Sequence, residues 1–328
     1  MSTALQFLTQ LYLPIFSAIV VGFLVSLGLS QSWFQRRFNT SLKTVIPSSL
    51  GQFLFWIGVP LSVINFLHQA DLSVAVLMAP LVAWGAIFLA LGTSWFWLRP
   101  NLKKWDQNTR GSFFLSSMFG NTGYMGFPVI LLLPQLGARY FGWALFYDLL
   151  GTLLGAYGLG VFLAARLGKS PQAATQSSWF NLLQVLFRNP TVFAFLIGLA
   201  LRSITFPPLL AIGLNGFAWL MVMLSLMLMG MRLQQLSSWS HLKPAAMAVS
   251  IRMFLIPLVV GMTLTALGVV GPPRLVMVLQ SGMPCAFATL VLSENYGLNR
   301  DLAVAAVGLS SLVLLVTLPL WLWGFSTW

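Results

Sequence analysis

Two short Gly-x-Pro motifs interrupt apolar runs of this chain, at Gly126-Phe127-Pro128 and at Gly282-Met283-Pro284. Glycine and proline both disfavour a continuous helix, so each motif predicts a helix break. A proline suits the first turn of a helix, because its missing N–H would have no partner there. Each motif is therefore predicted to end one half-helix and to begin another.

Polar side chains stand beside both predicted breaks. The N-terminus of a half-helix presents unpaired N–H groups and the positive end of the helix dipole, which together attract anions. Neighbouring amides and hydroxyls can complete the hydrogen bonding of a carboxylate. The predicted ligand is a small, partly apolar organic anion. Its predicted binding residues are Asn121, Thr122, Gly126, Pro128, Gln280, Ser281, Gly282 and Pro284.

Simpler roles remain open for the same residues. A Gly/Pro interruption can be only a kink in a membrane helix. Asn121 can act only as a helix cap, and Ser281 can bond within its own helix. Cys285 is expected to be a small packing residue rather than a reactive thiol.

Asp148 is the acidic residue predicted to lie deepest in the membrane. It stands about nine residues into the apolar run 140–166, or roughly 13 Å along a helix. Charged groups are costly at such depth, so Asp148 is a candidate proton or ion-coupling residue, with a hydrogen-bonded structural acid as the alternative. Glu294 is placed near the cytoplasmic face, and the Arg252 side chain is predicted to reach that face.

The composition defines the solvent that surrounds these motifs. Of 328 residues, 58% are hydrophobic and 7% are charged, unlike a soluble protein. Apolar runs of roughly 17–25 residues predict transmembrane helices, and about ten are present. They cover 11–30, 46–67, 73–98, 109–134, 140–166, 190–206, 209–231, 245–269, 275–297 and 302–324.

Basic residues determine the predicted orientation. The net charge is +12, but the basic residues form no continuous stripe of the kind that binds nucleic acid. Thirteen Lys and Arg residues fall on one side of the predicted spans, whereas only Arg139, Arg202 and Arg274 fall on the other. The positive-inside rule makes the rich side cytoplasmic and places both termini outside. The predicted location is a bacterial inner (plasma) membrane.

Five runs in each half predict an inverted repeat. The first repeat is 1–166 and the second is 190–328, with a connector at 167–189. Apolar residues from Trp179 to Phe187 follow a helical period, which predicts a short helix at the cytoplasmic interface. Both proline motifs fall in the fourth run of their half, and matched interruptions of this kind indicate the binding site of a secondary transporter.

Three segments resemble the auxin efflux carrier family, which includes plant auxin carriers and bacterial permeases of the malate and malonate kind. They are the crossover Gly120-Asn121-Thr122-Gly123-Tyr124-Met125-Gly126-Phe127-Pro128, the stretch from Pro284 to Glu294-Asn295-Tyr296-Gly297, and the pair Tyr147-Asp148. The likeness runs over nearly the whole chain. Leu149-Leu150-Gly151-Thr152 departs from the polar pair that often follows Tyr-Asp in that family.

The resemblance implies an all-α integral membrane fold of ten helices. Two inverted five-helix repeats would bring broken helices four and nine together, as in bile-acid symporters and the antiporter NhaA. Substrate would bind beside this crossover, with Asn121 approaching its carboxylate, and an elevator-like motion of a transport domain past a scaffold would carry it. No cofactor is implied.

Export of an organic anion is the predicted function, since an inside-negative potential favours anion exit by about 2.3 kcal/mol per charge per 100 mV. A sodium- or proton-coupled organic-anion symporter is the alternative, and a non-transporting membrane sensor is a third hypothesis. An enzyme is not expected, because two His, one Cys and five acidic residues form no clustered catalytic or metal-binding motif. The expected partners are the substrate anion, the lipid bilayer and a second copy in a homodimer.

Overall fold

The structure is a computed structural model that describes residues 12–31, 42–101, 104–169, 188–235 and 241–326. Within these ranges the regular elements are helices, and no β-strand longer than a single bridge occurs. The main helices are α1 (Leu13–Leu29), α2 (Leu42–Gln69), α3 (Val74–Leu98), α4 (Gln107–Met118), α5 (Thr122–Leu132), α6 (Ala138–Leu167), α7 (Pro190–Leu201), α8 (Pro208–Gln235), α9 (Leu242–Ala266), α10 (Pro272–Ser281), α11 (Phe287–Asn295) and α12 (Arg300–Phe325).

The helices have the length and surface of an integral membrane protein. Among the described residues, α2, α3, α6, α8, α9 and α12 are each long and apolar enough to cross a membrane. Large apolar side chains such as Leu81, Ile212 and Trp323 are exposed on their outer faces. Such a surface is unfavourable in water and favourable in lipid, so the chain is an integral membrane protein, as its composition predicted.

Each predicted apolar run coincides with one helix or with two. The run 109–134 contains α4 and α5, the run 275–297 contains α10 and α11, and each other run matches a single helix. The interruptions predicted in the fourth and ninth runs are therefore present. The predicted interfacial helix from Trp179 to Phe187 lies outside the described residues.

The helices group into two compact units by their contacts. The first unit takes the described residues of 1–71, 127–142 and 187–236, and so contains α1, α2, α7 and α8. The second takes those of 72–126, 143–186 and 237–328, which include α3, α4, most of α6 and α9 to α12. Each unit draws helices from both predicted repeats, so the packing units and the repeats divide the chain differently.

Small residues allow close helix packing in the first unit. A Cβ atom added to Gly22 of α1 would overlap the backbone of Met227 in α8, and one added to Gly230 would overlap the backbone of Ile19. Helices in membranes associate through close contact of this kind, because lipid gives them little hydrophobic driving force.

Prolines inside three helices each follow a π-helical turn. The pairs are Leu54–Gly58 with Pro60, Thr122–Gly126 with Pro128, and Ile251–Leu255 with Pro257. A proline leaves the carbonyl four residues earlier without its helical N–H, and a π turn is a common adjustment around such a defect. In α9 the carbonyl freed by Pro257 is that of Met253, which accepts the indole N–H of Trp321 at 2.9 Å.

Candidate functional site

The first helix break lies upstream of the predicted proline motif. α4 ends at Met118 and α5 begins at Thr122, so the non-helical segment is 119–121. Gly126 and Pro128 lie inside α5, because the π-helical turn before Pro128 accommodates the missing N–H. The α-helical part of α5 is Phe127–Leu132, so Pro128 does lie in the first turn of an α-helix, but the π-helical turn Thr122–Gly126 precedes it and the chain leaves the helix earlier than predicted.

The second break spans 282–286, between the end of α10 at Ser281 and the start of α11 at Phe287. Pro284 lies within this segment and not in the first turn of α11, so the predicted place of this proline is wrong. The segment runs alongside the first break, where the Pro284 carbonyl accepts a hydrogen bond and no N–H of residue 284 is required.

The two breaks lie side by side in the second unit and pair through their backbones. The Asn121 N–H donates to the Pro284 carbonyl at 2.7 Å, and the Ala286 N–H donates to the Phe119 carbonyl at 3.0 Å. Gly120 and Cys285 face each other in this antiparallel bridge. Broken backbone at membrane depth needs such internal partners, so the crossing is a stable element of the unit.

Arg252 lies at the centre of this crossing. The prediction that its side chain reaches the cytoplasmic face of the membrane is wrong. Its side chain is 1% exposed and donates to the carbonyls of Met118 at 3.0 Å and of Gln280 and Met283 at 3.4 Å each. The last carbonyls of a helix have no helical partner and carry the negative end of the dipole. Arg252 therefore finds inside the protein the acceptors that it was expected to seek at the surface.

The glycine of the first break makes room for this arginine. A Cβ atom added to Gly120 would overlap the Arg252 guanidinium. The sequence signal that could have located Arg252 is its position within an apolar run, since an intramembrane charge indicates a functional or structural partner.

Asp148 belongs to α6, and its carboxylate lies beside the first turn of α5. The Thr122 hydroxyl donates to the Asp148 carboxylate, and a Cβ atom on Gly123 would stand 3.7 Å from Asp148 Oδ2. The Asn121 side-chain oxygen caps the same turn by accepting the Tyr124 N–H at 3.2 Å. Negative charge is favourable at a helix N-terminus, so Asp148 occupies part of the predicted anion-binding end of α5.

Gln280 lies in the last turn of α10, just before the second break, and its side chain contacts α5 at Gly126. Its side chain is 0% exposed, and neither amide atom has a hydrogen-bond partner among the described residues. A Cβ atom on Gly126 would overlap this amide, so the glycine makes room for the Gln280 side chain. Buried polar atoms are nearly always paired in native proteins, so the Gln280 amide is a candidate partner for a ligand or a water molecule.

Thr122, Asp148 and Arg252 each belong to a π-helical turn. Such turns are rare and occur frequently at functional sites.

No group of three or more His, Cys, Asp or Glu side chains that could hold a metal ion occurs in the part of the chain that the structure describes.

Comparison with known proteins identifies the family. The profile of a family described as "Membrane transport protein" matches residues 7–322. The chain belongs to this membrane transport protein family. An uncharacterized transporter of Methanocaldococcus jannaschii is 25% identical over 315 residues, which are 95% of this chain and 98% of that protein. An uncharacterized transporter of Methanothermobacter thermautotrophicus is 26% identical over 283 residues, 84% and 87% of the two chains.

The family assignment confirms the resemblance that the crossover motifs showed, and the protein is a membrane transporter. Six of the predicted binding residues lie at the crossing in the second unit. They are Asn121, Thr122, Gly126, Gln280, Gly282 and Pro284. Gly282, the first residue of the second break, packs against Pro257 and Trp321.

The other predicted residues have different surroundings. The Ser281 hydroxyl donates to the Val278 carbonyl of its own helix at 2.8 Å. Pro128 belongs to the first unit.

Two further residues have the surroundings expected of a structural role. The buried Cys285 thiol donates to the Ser116 carbonyl at 3.1 Å, as suits a packing residue. Glu294 forms an exposed ion pair with Arg300 at 2.6 Å.

Proposed function

We propose that this transporter carries a small organic anion whose carboxylate binds at the crossing of the two broken helices. The observation that carries the proposal is the Gln280 amide, which is buried without a partner against Gly126 of α5. A carboxylate oxygen there would accept the N–H bonds that this amide cannot make within the protein.

The electrostatics of the crossing favour a negative ligand. Arg252 has no carboxylate within 4 Å among the described residues, where the ion pairs are Arg139 with Asp71 and Arg300 with Glu294. The N-terminus of α11 has no side-chain cap, so the positive end of its dipole is not offset there. The uncapped helix end raises the affinity for anions, while the Arg252 guanidinium donates its hydrogen bonds to the backbone carbonyls around it.

The two compact units support an elevator-like motion. Such a motion requires one unit to carry the whole site, and the residues of the crossing all belong to the second unit. We infer that the second unit moves and that the first is the scaffold. We further propose that the chain has ten spans in two inverted repeats, with both termini outside a bacterial inner membrane. The proposed assembly is a homodimer, and the membrane potential drives export of the anion.

Proton-coupled symport is the second candidate, and the position of Asp148 favours it. An ionised Asp148 at the start of α5 would repel a substrate carboxylate, whereas a protonated Asp148 would not. Binding of the proton and of the anion would then be linked. α3, which packs against the turn of Asp148, has no charged residue.

Thermal unfolding of the purified protein against a panel of carboxylates tests both candidates. A specific carboxylate at one hundred times its Kd stabilises the folded state by about 2.7 kcal/mol. We expect this stabilisation in sodium-free buffer, and we expect Asn121→Ala to remove most of it. Ser281→Ala is the matched control, because its hydroxyl bonds within its own helix, and it should keep the full effect.

The pH dependence separates the two candidates. With proton coupling, carboxylate stabilisation of the wild type grows as the pH falls, and Asp148→Asn makes it large at every pH. With uncoupled export it is independent of pH in both proteins. Absence of stabilisation by every carboxylate tested, or equal loss in Ser281→Ala and Asn121→Ala, would exclude the proposed anion site.

A further inference from the structure

Arg252 connects three chain segments that meet at the crossing. Its guanidinium bonds the last carbonyl of α4, at Met118, one of the last carbonyls of α10, at Gln280, and the Met283 carbonyl of the second break. Two helix C-termini therefore direct their negative ends at one group. Without a positive charge between them, these ends would repel each other in a medium of low dielectric constant.

A cation between the two helix C-termini would stabilise such an arrangement. Converging backbone carbonyls at broken helices are the oxygen set that coordinates sodium in cation-coupled carriers. In this protein the guanidinium fills that place with planar N–H donors, and its charge is permanent. The guanidinium occupies the space that a side chain on Gly120 would fill.

We propose that Arg252 is a built-in cation that holds the crossing together, so that folding of the site and substrate binding require no sodium ion. The inference deepens the proposed function by assigning its ion dependence, and its last step rests on that function. Arg252 acts here as a positioning residue, since it contacts the backbone of both breaks. Its bonds hold the end of α10, where Gln280 lies, against the end of α4.

Thermal unfolding of ligand-free protein in different salts tests the inference. Wild type, Arg252→Ala, Arg252→Lys and Arg252→Gln are compared at equal ionic strength in choline, sodium and dilute guanidinium chloride. Arg252→Ala should lower Tm by roughly 10 °C in choline, because the carbonyl ends of α4 and α10 lose the guanidinium that they share. Guanidinium should restore a large part of the loss and sodium a smaller part.

The remaining variants separate charge from packing. Arg252→Lys keeps the charge and should be more stable than Arg252→Gln, although it lacks the planar donor set. Arg274→Ala is the matched control, since Arg274 is also buried in the second unit but bonds Thr265 and Phe325 away from the crossing. Its Tm, like that of the wild type, should be the same in choline and in sodium.

Two results would overturn the inference. In the first, neither sodium nor guanidinium raises the Tm of Arg252→Ala by more than it raises the Tm of Arg274→Ala. In the second, Arg252→Gln is as stable as Arg252→Lys. These measurements need no substrate. A wild type that shows the expected salt responses but binds no carboxylate would exclude the proposed function and leave the role of Arg252 intact. Carboxylate binding that requires sodium in the wild type would contradict the sodium independence inferred here.

Discussion

The two breaks of the crossing share a backbone bridge but differ in their side chains. The first break is short, 119–121, and α5 begins with a cap from Asn121 and a hydroxyl bond from Thr122 to Asp148. The second break is longer, 282–286, and α11 begins without a side-chain cap. Beside it the Gln280 amide is buried and unpaired. Side chains of the protein thus supply hydrogen-bond partners at the first break, whereas polar groups at the second break remain for a ligand to bond.

Both breaks share one charge. Arg252 bonds the end of α4 before the first break and two carbonyls at the second. Arg252 therefore bonds carbonyls at both breaks, and the breaks differ in the side chains around them, since α5 has a side-chain cap and α11 has none. Three pairs of substitutions test this comparison.

The glycines of the two breaks give the largest expected difference. Gly120→Ala would displace the Arg252 guanidinium from its carbonyls and should lower the free energy of unfolding by about 3 kcal/mol. Gly282→Ala would place a Cβ 3.3 Å from Pro257 and 3.4 Å from Trp321, side chains that can shift, and should cost about 1 kcal/mol. Chemical denaturation in detergent measures both. Equal losses would show that Arg252 packs as closely on the second break as on the first.

The hydroxyls give an intermediate difference. Thr122→Val removes the bond to Asp148 and should destabilise the protein by about 1.5 kcal/mol. Ser281→Ala removes a bond within one helix turn and should change stability by less than about 0.5 kcal/mol. In Asp148→Asn, Thr122→Val should cost less than in the wild type, because the charged acceptor is gone. A double-mutant cycle by thermal unfolding measures this coupling, and additive effects would argue against the Thr122–Asp148 bond.

The Gln280 amide, which lies just before the second break, gives the smallest expected change in stability and a clear change in carboxylate binding. Gln280→Leu replaces a buried unpaired amide and should stabilise the ligand-free protein by about 1 kcal/mol, while it removes stabilisation by carboxylates. Gln135→Leu is the control, since the Gln135 side-chain nitrogen is also buried and unpaired but belongs to the first unit. It should retain carboxylate stabilisation. A Gln280→Leu protein that loses stability and still binds carboxylates would show that the second break is complete without ligand.

Sequence patterns located the elements of the site more reliably than their details. Apolar runs predicted the helices, and Gly/Pro motifs predicted which two are broken. The same motifs misplaced the breaks, because a π turn lets Pro128 lie inside α5 and because Pro284 lies in the linker before α11. Local propensity describes which backbone is disfavoured, but neighbouring segments decide where the chain departs from the helix.

Side-chain partners depended on the tertiary structure. The alternatives left open for Asn121 and Ser281, a cap and a bond within the helix, are both observed. Arg252 was expected at the membrane surface and is instead buried, because the helix ends that attract it come together only when α9, α4 and α10 pack in one unit.

Hydrophobic composition and run length alone determined that this protein folds in lipid as a set of helices, since backbone groups in a bilayer must pair locally. The crossover motif alone indicated the family. Only the tertiary structure decided which charge lies at the crossing, which amide remains unpaired and which helices share a compact unit. These features arise from contacts between residues that are distant in the chain, and no local pattern of residues encodes such distances.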